Sequence, residues 1–288
     1  MKKAIVTGAT GFLGYVLTLE LTNNDTFVYA LCRKNSKNLS RLVGINNLEI
    51  IEVDFQNKPV ISKINADVFY HFAWEGNRSI FAEQFKNIQN TLNCIELATE
   101  FGCKRFLCAG SQAEYGYRDG LITEETSLNP IDAYGACKVA TYYLAANYAK
   151  QLNIELTWLR LFSIYGPNDR PDSLISMLTK ELSLNNTFII KSNGKHIWNY
   201  LHEEDAARAM RLLGWQSQSD TVYNIASKIN RPLFEYIDEV NLTINPNQKI
   251  EYGNENCPVN LNVTTDKLKN EIGDYEQVCF KNAFLSNI

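Results

Sequence analysis

Runs rich in β-branched and aromatic residues alternate with amphipathic stretches through more than half of this chain. Strands are predicted, in chain order, at Lys3–Thr7, Thr26–Leu31, Leu48–Val53, Asp67–Phe72, Arg105–Ala109 and Glu155–Leu161. Helices are predicted at Phe12–Asn23, about Phe81–Phe101 and Asp132–Leu152. Each such helix carries the chain back across the sheet, so that successive strands run parallel. The alternation therefore predicts an α/β fold with a doubly wound parallel sheet.

A glycine-rich turn joins the first predicted strand to the first predicted helix. Residues 6–14 read VTGATGFLG, with glycines three residues apart. Such a turn lets a pyrophosphate approach the backbone where no Cβ stands in the way, and the free N–H groups at the helix N-terminus hold the anion. This position indicates the phosphate-binding turn of a Rossmann-type sheet that holds a dinucleotide. The candidate cofactor contacts in the turn are Gly8, Thr10, Gly11, Phe12, Leu13 and Gly14.

The end of the second strand bears on which dinucleotide is bound. Sites for NAD commonly place an acidic residue there to bind the ribose hydroxyls, whereas this chain reads Leu31-Cys32-Arg33-Lys34. Arg33 offers a planar partner for the 2′-phosphate of NADP, and Lys34 adds a second positive charge. We therefore expect NADP(H) to be preferred, with NAD(H) as the alternative. Asp54, after the third strand, is a candidate partner for the adenine amino group.

Three further residues form a candidate proton-transfer group. Tyr134 and Lys138 are four residues apart on a predicted helix, so their side chains project from one face. Ser111 follows the fifth strand, at the edge of the sheet where sites of α/β proteins lie. A fixed ammonium at Lys138 is expected to lower the pKa of Tyr134 from its ordinary value of about 10. These residues predict general acid/base catalysis beside a nicotinamide.

The composition argues against other classes of protein. A net charge of −4 provides no field that attracts nucleic acid, and no apolar run approaches the ~20 residues that span a membrane. His71, His196 and His202 lack the spacing of metal ligands, so no metal is expected. Gly110-Ser111 lacks the second glycine of a serine hydrolase. The seven scattered cysteines are expected to be reduced, which favours a cytoplasmic location.

The chain resembles the extended short-chain dehydrogenase/reductases, specifically the NAD-dependent nucleotide-sugar epimerase/dehydratase family, over nearly its whole length. Besides the glycines, Asp54, Ser111, Tyr134 and Lys138, the likeness is carried by His71-Phe72-Ala73, the helix phrase 87–92, Tyr115-Gly116, and residues 160–167, 197–206 and 222–226. The resemblance implies cofactor contacts from Phe55, Phe72, Ala73, Asn87, Lys138 and Phe162, and substrate contacts from Trp74, Gln112, Ser163 and Trp198. It also implies a nucleoside-diphosphate sugar as substrate and a homodimer packed through the two long helices.

Three departures from the family pattern bear on the reaction. Dehydratases of the family follow the catalytic hydroxyl with an Asp-Glu pair, whereas this chain has Gln112-Ala113. Ser163 stands where many relatives have Asn, and Trp198 stands where many have Arg. The departures disfavour a standard dehydratase or epimerase, and because Arg33 and Lys34 favour NADPH, we expect an oxidoreductase that reduces a 4-keto-(6-deoxy)sugar nucleotide. The alternatives are a nucleotide-sugar 4-epimerase with tightly bound NAD and, from another class, a non-catalytic dinucleotide-binding regulatory protein.

The alternation of strands and helices fades after Gly166-Pro167, where Asn, Asp and Pro become frequent. A helix near Asp205–Trp215 and a strand at Thr221–Ala226 are then expected to return to the main sheet. We predict a dinucleotide-binding domain over residues 1–167, with 201–239 returning to it. A small C-terminal substrate-binding lobe is predicted over 168–200 and 240–288.

Overall fold

The computed structural model describes residues 1–54, 64–216 and 221–287. Its strands are β1 (Lys2–Thr7), β2 (Thr26–Arg33), β3 (Leu48–Val53), β4 (Val68–His71), β5 (Arg105–Ser111), β6 (Glu155–Leu161), β7 (Ser163–Tyr165), β8 (Phe188–Ser192), β9 (Ile197–Trp198), β10 (Tyr200–His202), β11 (Thr221–Ile225), β12 (Arg231–Pro232) and β13 (Ile250–Glu255). Its helices are α1 (Phe12–Thr22), α2 (Phe81–Glu100), α3 (Ala133–Gln151), α4 (Leu174–Ser183), α5 (Glu203–Gln216), α6 (Leu233–Ile244) and α7 (Asp266–Ile272). The ends of the strands and helices predicted from sequence differ from these by at most two residues.

Seven of the strands form one sheet in the order β11-β6-β5-β4-β1-β2-β3, and every neighbouring pair in it is parallel. The chain moves outward from β1 to β3 and then returns to place β4 on the other side of β1. The direction of winding thus reverses between β1 and β4, which is where sheets of this kind bind ligands. The prediction of a doubly wound parallel sheet is confirmed.

Helices cover both faces of this sheet. On one face, α1, α5 and α7 bury apolar side chains such as Leu17, Met210 and Leu268 against the strands. On the other face, α2 and α3 do the same with Ile95 and Ala145. Because the central strands are buried on both sides, they read as nearly continuous apolar runs.

A third apolar cluster lies beside the large sheet and joins α4, α6, β8 and β10. Leu178 of α4 and Ile237 of α6 are fully buried in it. By contrast, Leu268 of α7 packs in the cluster beneath α1 and α5. The predicted division into a domain of 1–167 with 201–239 and a lobe of 168–200 with 240–288 stays a prediction.

All seven cysteines are free, and five of them are buried, in agreement with the expectation of core thiols. No helix in the described parts of the chain is long and apolar enough to cross a membrane.

The glycine-rich turn is packed too closely for larger residues at two of its positions. Gly8 has a φ of +73°, and a Cβ there would lie 2.7 Å from the carbonyl carbon of Phe72. A Cβ on Gly14 would lie 2.2 Å from the carbonyl oxygen of Gly8. The first turn of α1 therefore rests directly on the backbone of the phosphate-binding turn, and that turn lies close to the residues after β4.

This close packing predicts that Gly14→Ala destabilises the protein. Helix propensity alone favours Ala over Gly by up to about 1 kcal/mol, but the clash with Gly8 is expected to reverse the sign and lower the free energy of unfolding by about 1–3 kcal/mol. Urea denaturation of the cofactor-free protein measures the difference. A variant as stable as the parent protein, or more stable, would contradict the packing described here.

Candidate active site

A cleft opens at the carboxyl ends of β1, β2, β3 and β4. Most of the predicted cofactor residues line it: Gly8, Thr10, Gly11, Arg33, Asp54, Phe72, Ala73 and Asn87. Phe12 and Leu13 form the first turn of α1, and Lys34 is exposed just beyond β2. Phe55 lies outside the described residues. The sequence thus predicted most of the residues that the fold brings together around this cleft.

The inner end of the cleft has the chemistry of a pyrophosphate site. Gly11 caps α1 without a side chain, and the first turn of the helix contains no acidic residue. The backbone N–H groups of this turn and the positive end of the helix dipole therefore face the cleft without a competing anion. The Oγ atoms of Thr10 and Ser36 lie 2.7 Å apart and tie the turn to the segment after β2. These residues fit a dinucleotide.

Glu75, at the outer end of the cleft, forms an ion pair with Arg33. The backbone of Glu75 is held by Asn87, whose Oδ1 accepts from the Glu75 N–H at 3.1 Å and whose Nδ2 donates to the Glu75 carbonyl at 3.0 Å. Gln84 adds a bond from its Nε2 to the same carbonyl, at 3.3 Å. A carboxylate thus stands beside the cation that the sequence analysis assigned to a 2′-phosphate.

Ser111 and Tyr134 come together at the end of β5. The Ser111 hydroxyl lies close enough to the phenol of Tyr134 to lower its pKa, and Ser111 Oγ accepts from the backbone N–H of Ala113 at 3.2 Å. Tyr134 lies in the first turn of α3, which Asp132 caps by accepting from the Gly135 N–H at 2.7 Å. Burial raises the pKa of Tyr134, while its bond to Ser111 and the charge of Arg78 lower it.

The Lys138 side chain is directed at a backbone carbonyl of β5, and its expected lowering of the pKa of Tyr134 stays a prediction. The Lys138 ammonium donates to the carbonyl oxygen of Ala109 at 2.6 Å and lies 5.7 Å from the centre of the Tyr134 ring. The ammonium therefore points back toward β5 rather than at the phenol. The net effect of burial is instead to keep Tyr134 protonated.

Trp74 covers the ammonium of Lys138. The Nζ atom lies 3.4 Å from the centre of the indole ring, and the same ring meets Tyr134 edge-on at 6.0 Å. The Trp74 N–H donates to Gln84 Oε1 at 2.7 Å, which fixes the indole to α2. Burial lowers the pKa of Lys138 to about 8. Trp74 was predicted to contact substrate, and the structure places it against Lys138 and Tyr134.

Glu114 is fully buried behind Ser111, and the sequence analysis did not identify it as part of the site. Its carboxylate accepts from the Ser111 N–H at 2.8 Å, from Trp158 Nε1 at 2.9 Å and from Arg160 Nε at 2.9 Å. The three donors belong to β5 and β6 of the large sheet. The carboxylate of Glu114 is therefore occupied by hydrogen bonds to the sheet. The side chains of Gln112 and Ala113 carry no titratable group.

The remaining candidate residues lie beyond β6. The Phe162 ring is buried against Tyr115, with 6.2 Å between ring centres. Ser163 begins β7, and Trp198 stands opposite Arg231 in the short β9–β12 pair. Their predicted cofactor and substrate contacts, and that of Gln112, stay predictions.

Known proteins resemble this chain over most of its length. The sequence profile of the NAD dependent epimerase/dehydratase family matches residues 4–226. A Bacillus subtilis protein named uncharacterized UDP-glucose epimerase YtcB is 28% identical over 72% of this chain and 71% of its own length. An Aggregatibacter actinomycetemcomitans protein named dTDP-6-deoxy-L-talose 4-dehydrogenase (NAD(+)) is 25% identical over 85% of this chain and 93% of its own length.

Solved structures agree with the fold. A UDP-glucuronic acid 4-epimerase variant from Bacillus cereus, in complex with a fluorinated UDP-sugar and NAD, superposes with a TM-score of 0.86 over 98% of this chain and 96% of that chain, at 20% identity. A UDP-glucose 4-epimerase from Thermotoga maritima gives a TM-score of 0.84 at 19% identity, over 98% of this chain and 96% of that chain.

The low pKa of Lys138 predicts a pH dependence of stability. An unfolded chain keeps this proton up to the ordinary value of 10.5, whereas the folded protein releases it near 8. The penalty for burying the charge is therefore complete below about pH 8 and is lost as the pH rises toward 10.5. The free energy of unfolding of the parent minus that of Lys138→Met should increase between about pH 7 and about pH 10. Urea denaturation of both proteins measures it, and a difference that stays flat or falls would contradict the burial of a charged Lys138.

Proposed function

This chain belongs to the NAD dependent epimerase/dehydratase family, and on that premise we propose that it is an oxidoreductase acting at C4 of a nucleotide-activated sugar. The reaction proposed is the reduction of a 4-keto-(6-deoxy)sugar nucleotide to the corresponding alcohol. The observation that carries the proposal is that Ser111 and Tyr134 lie next to each other, whereas the carboxylate of Glu114 is buried and accepts hydrogen bonds from the Ser111 N–H and from Arg160.

The residues of the site supply the proton half of this reaction. The cleft lined by Gly8, Gly11 and Asn87 would hold a reduced nicotinamide dinucleotide, which would supply the hydride for the carbonyl carbon. Tyr134 donates its proton to the carbonyl oxygen, and the hydroxyl of Ser111 donates a hydrogen bond to the same oxygen. Because burial raises the pKa of Tyr134, the phenol is in its acid form at neutral pH, as reduction requires. Solvent then returns the proton, so one hydride and one proton are added to each carbonyl.

The buried charge of Lys138 supports this proton transfer. The transfer leaves a phenolate on Tyr134, and the nearby ammonium favours that charged form without a bond to it. Trp74 excludes water from the ammonium, which strengthens its field. Lys138 is thus proposed to stabilise the phenolate of Tyr134, which is the same effect as the lowering of its pKa that the sequence predicts.

The fixed bonds of Glu114 argue against dehydration. Elimination of water from a sugar requires groups that remove a proton from carbon and protonate the leaving hydroxyl. Glu114 accepts three hydrogen bonds from the sheet, and its neighbours Gln112 and Ala113 cannot exchange protons. The relative named as a dTDP-6-deoxy-L-talose 4-dehydrogenase, which matches over 93% of its own length, adds support for oxidoreduction at C4.

A 4-epimerase is the second candidate, because the Bacillus subtilis relative is named a UDP-glucose epimerase and the two structural neighbours are named 4-epimerases. An epimerase oxidises and re-reduces the same carbon and keeps its cofactor throughout. The same Ser111–Tyr134 pair serves both reactions, so the net change in cofactor distinguishes them.

The identity of the cofactor is open within this proposal. Arg33 and Lys34 favour NADP(H), as predicted from the sequence, whereas the carboxylate of Glu75 beside Arg33 opposes it. The named relative is NAD(+)-dependent, and the Bacillus cereus neighbour is a complex with NAD.

A homodimer in the cytoplasm remains part of the proposal. Large apolar side chains are exposed on the outer surfaces of α2 and α3, namely Phe81, Phe85, Tyr143 and Leu144. Packing of two copies through these helices would remove them from water.

The reaction is tested with purified protein in two mixtures. In the first, a 4-keto-6-deoxy sugar nucleotide and NADH or NADPH should be consumed in equal amounts, with the alcohol as product. In the second, ordinary hexose nucleotides are incubated with no added cofactor. Interconversion of the C4 epimers in the second mixture, with no net loss of reduced cofactor in the first, would establish the epimerase instead.

Tyr134→Phe keeps the ring and removes the transferable proton. We expect turnover to fall by about a hundredfold or more, with the affinity for the nicotinamide dinucleotide near that of the parent protein. Tyr143→Phe on the same helix is the matched control, because Tyr143 is exposed and should leave turnover unchanged. Substantial turnover by Tyr134→Phe would show that another group donates the proton.

A further inference from the structure

We propose that Glu75 makes the cleft select NAD(H) over NADP(H), by engaging Arg33 and by setting a carboxylate beside the only guanidinium that lines the described part of the cleft. This inference rests on the proposed function only in that the cleft binds a nicotinamide dinucleotide. It replaces the reasoning that predicted NADP(H), which depended on there being no carboxylate near Arg33.

The position of Glu75 is fixed by buried groups of α2. Asn87 and Gln84 are 2% and 0% exposed, and together they bind both the N–H and the carbonyl of Glu75. The next residues are held as well, since Glu83 Oε2 accepts from the Asn77 N–H at 2.6 Å. An exposed ion pair alone is worth little, but here the backbone of Glu75 is fixed independently of Arg33. The backbone of Glu75 therefore keeps its side chain within reach of Arg33 and of the outer end of the cleft.

The charges along the cleft disfavour a second phosphate. Among the described residues that line it, the only cation is Arg33, against the carboxylates of Asp54 and Glu75. His71 adds no charge, because burial and the nearby Lys138 lower its pKa to about 3. The 2′-phosphate of NADP carries a charge of roughly −1.5 to −2 at neutral pH, by analogy with other phosphomonoesters. It would have to displace Glu75 from Arg33 and remain beside that carboxylate.

A ribose hydroxyl meets the opposite situation. The 2′-hydroxyl of NAD can donate a hydrogen bond to a carboxylate, which is why dinucleotide sites commonly carry an acidic residue at the end of the second strand. In this chain that place holds Arg33, and the acidic residue comes from the segment after β4 instead. The two strands lie on either side of β1, so both segments reach the same edge of the sheet. Glu75, in the segment after β4, thus supplies the carboxylate that is absent from the end of β2.

The proposal is tested by calorimetric binding of NADH and NADPH, each without sugar substrate, to the parent protein and to Glu75→Gln. We expect the parent to bind NADH more tightly. Glu75→Gln releases Arg33 and removes the repulsion, so the ratio of NADPH to NADH affinity should rise on the order of tenfold. Arg33→Ala in the Glu75→Gln background should abolish that rise, because the freed guanidinium causes it.

Glu49→Gln is the matched control, since Glu49 is exposed at the opposite end of β3 from the cleft. A parent protein that prefers NADPH, a ratio that moves by less than about threefold in Glu75→Gln, or an equal change in Glu49→Gln overturns the proposal. Glu75→Ala provides a second variant with the same expected direction. Because no sugar is present, failure of the reductase assignment leaves this result intact, and failure here leaves the reaction at C4 open to its own test.

Discussion

The buried carboxylate of Glu114 connects β5, which ends at Ser111, to β6. It accepts the N–H of Ser111 at the end of β5 and the side chains of Trp158 and Arg160 on β6. Arg160 then donates to Tyr115 Oη at 2.9 Å, and Tyr115 donates to Asn224 Oδ1 on β11 at 2.7 Å. Such a network need not add net stability over an apolar core. It does fix the position of Ser111, which is the residue that lies beside Tyr134.

Two buried charged groups in the site therefore differ in their surroundings. Glu114 and Arg160 form a buried ion pair, whereas the Lys138 ammonium is buried beneath Trp74 and donates to the carbonyl oxygen of Ala109. A buried cation without an anionic partner costs free energy in the resting protein. That cost is reduced when a phenolate forms nearby, so the arrangement favours the state reached after proton transfer. Under the proposed mechanism, burial of the Lys138 charge lowers the free energy of unfolding and favours proton transfer from Tyr134.

The features that sequence predicted and those that it missed differ in a physical way. The strands, the helices and the turn of Gly8 and Gly14 follow from local periodicity and from the steric freedom of glycine, and the structure confirms them. Spacing also placed Tyr134 and Lys138 on one face of α3. It did not reveal that Lys138 turns toward Ala109, because the direction of a buried ammonium depends on acceptors from other strands. Glu75 was visible only as a charged residue four positions after the end of β4; its pairing with Arg33 depends on the order of strands in the sheet.

The bonds that hold Glu75 in place have a consequence for how proteins of this kind diverge. Asn87 and Gln84 bind its backbone and leave its side chain unconstrained, so the residue can change identity without disturbing the segment that carries it. A single base change in a glutamate codon gives glutamine or lysine. The electron carrier on which such an enzyme draws could then shift during evolution in one mutational step, while the fold, the phosphate-binding turn and the proton-transfer group are inherited unchanged.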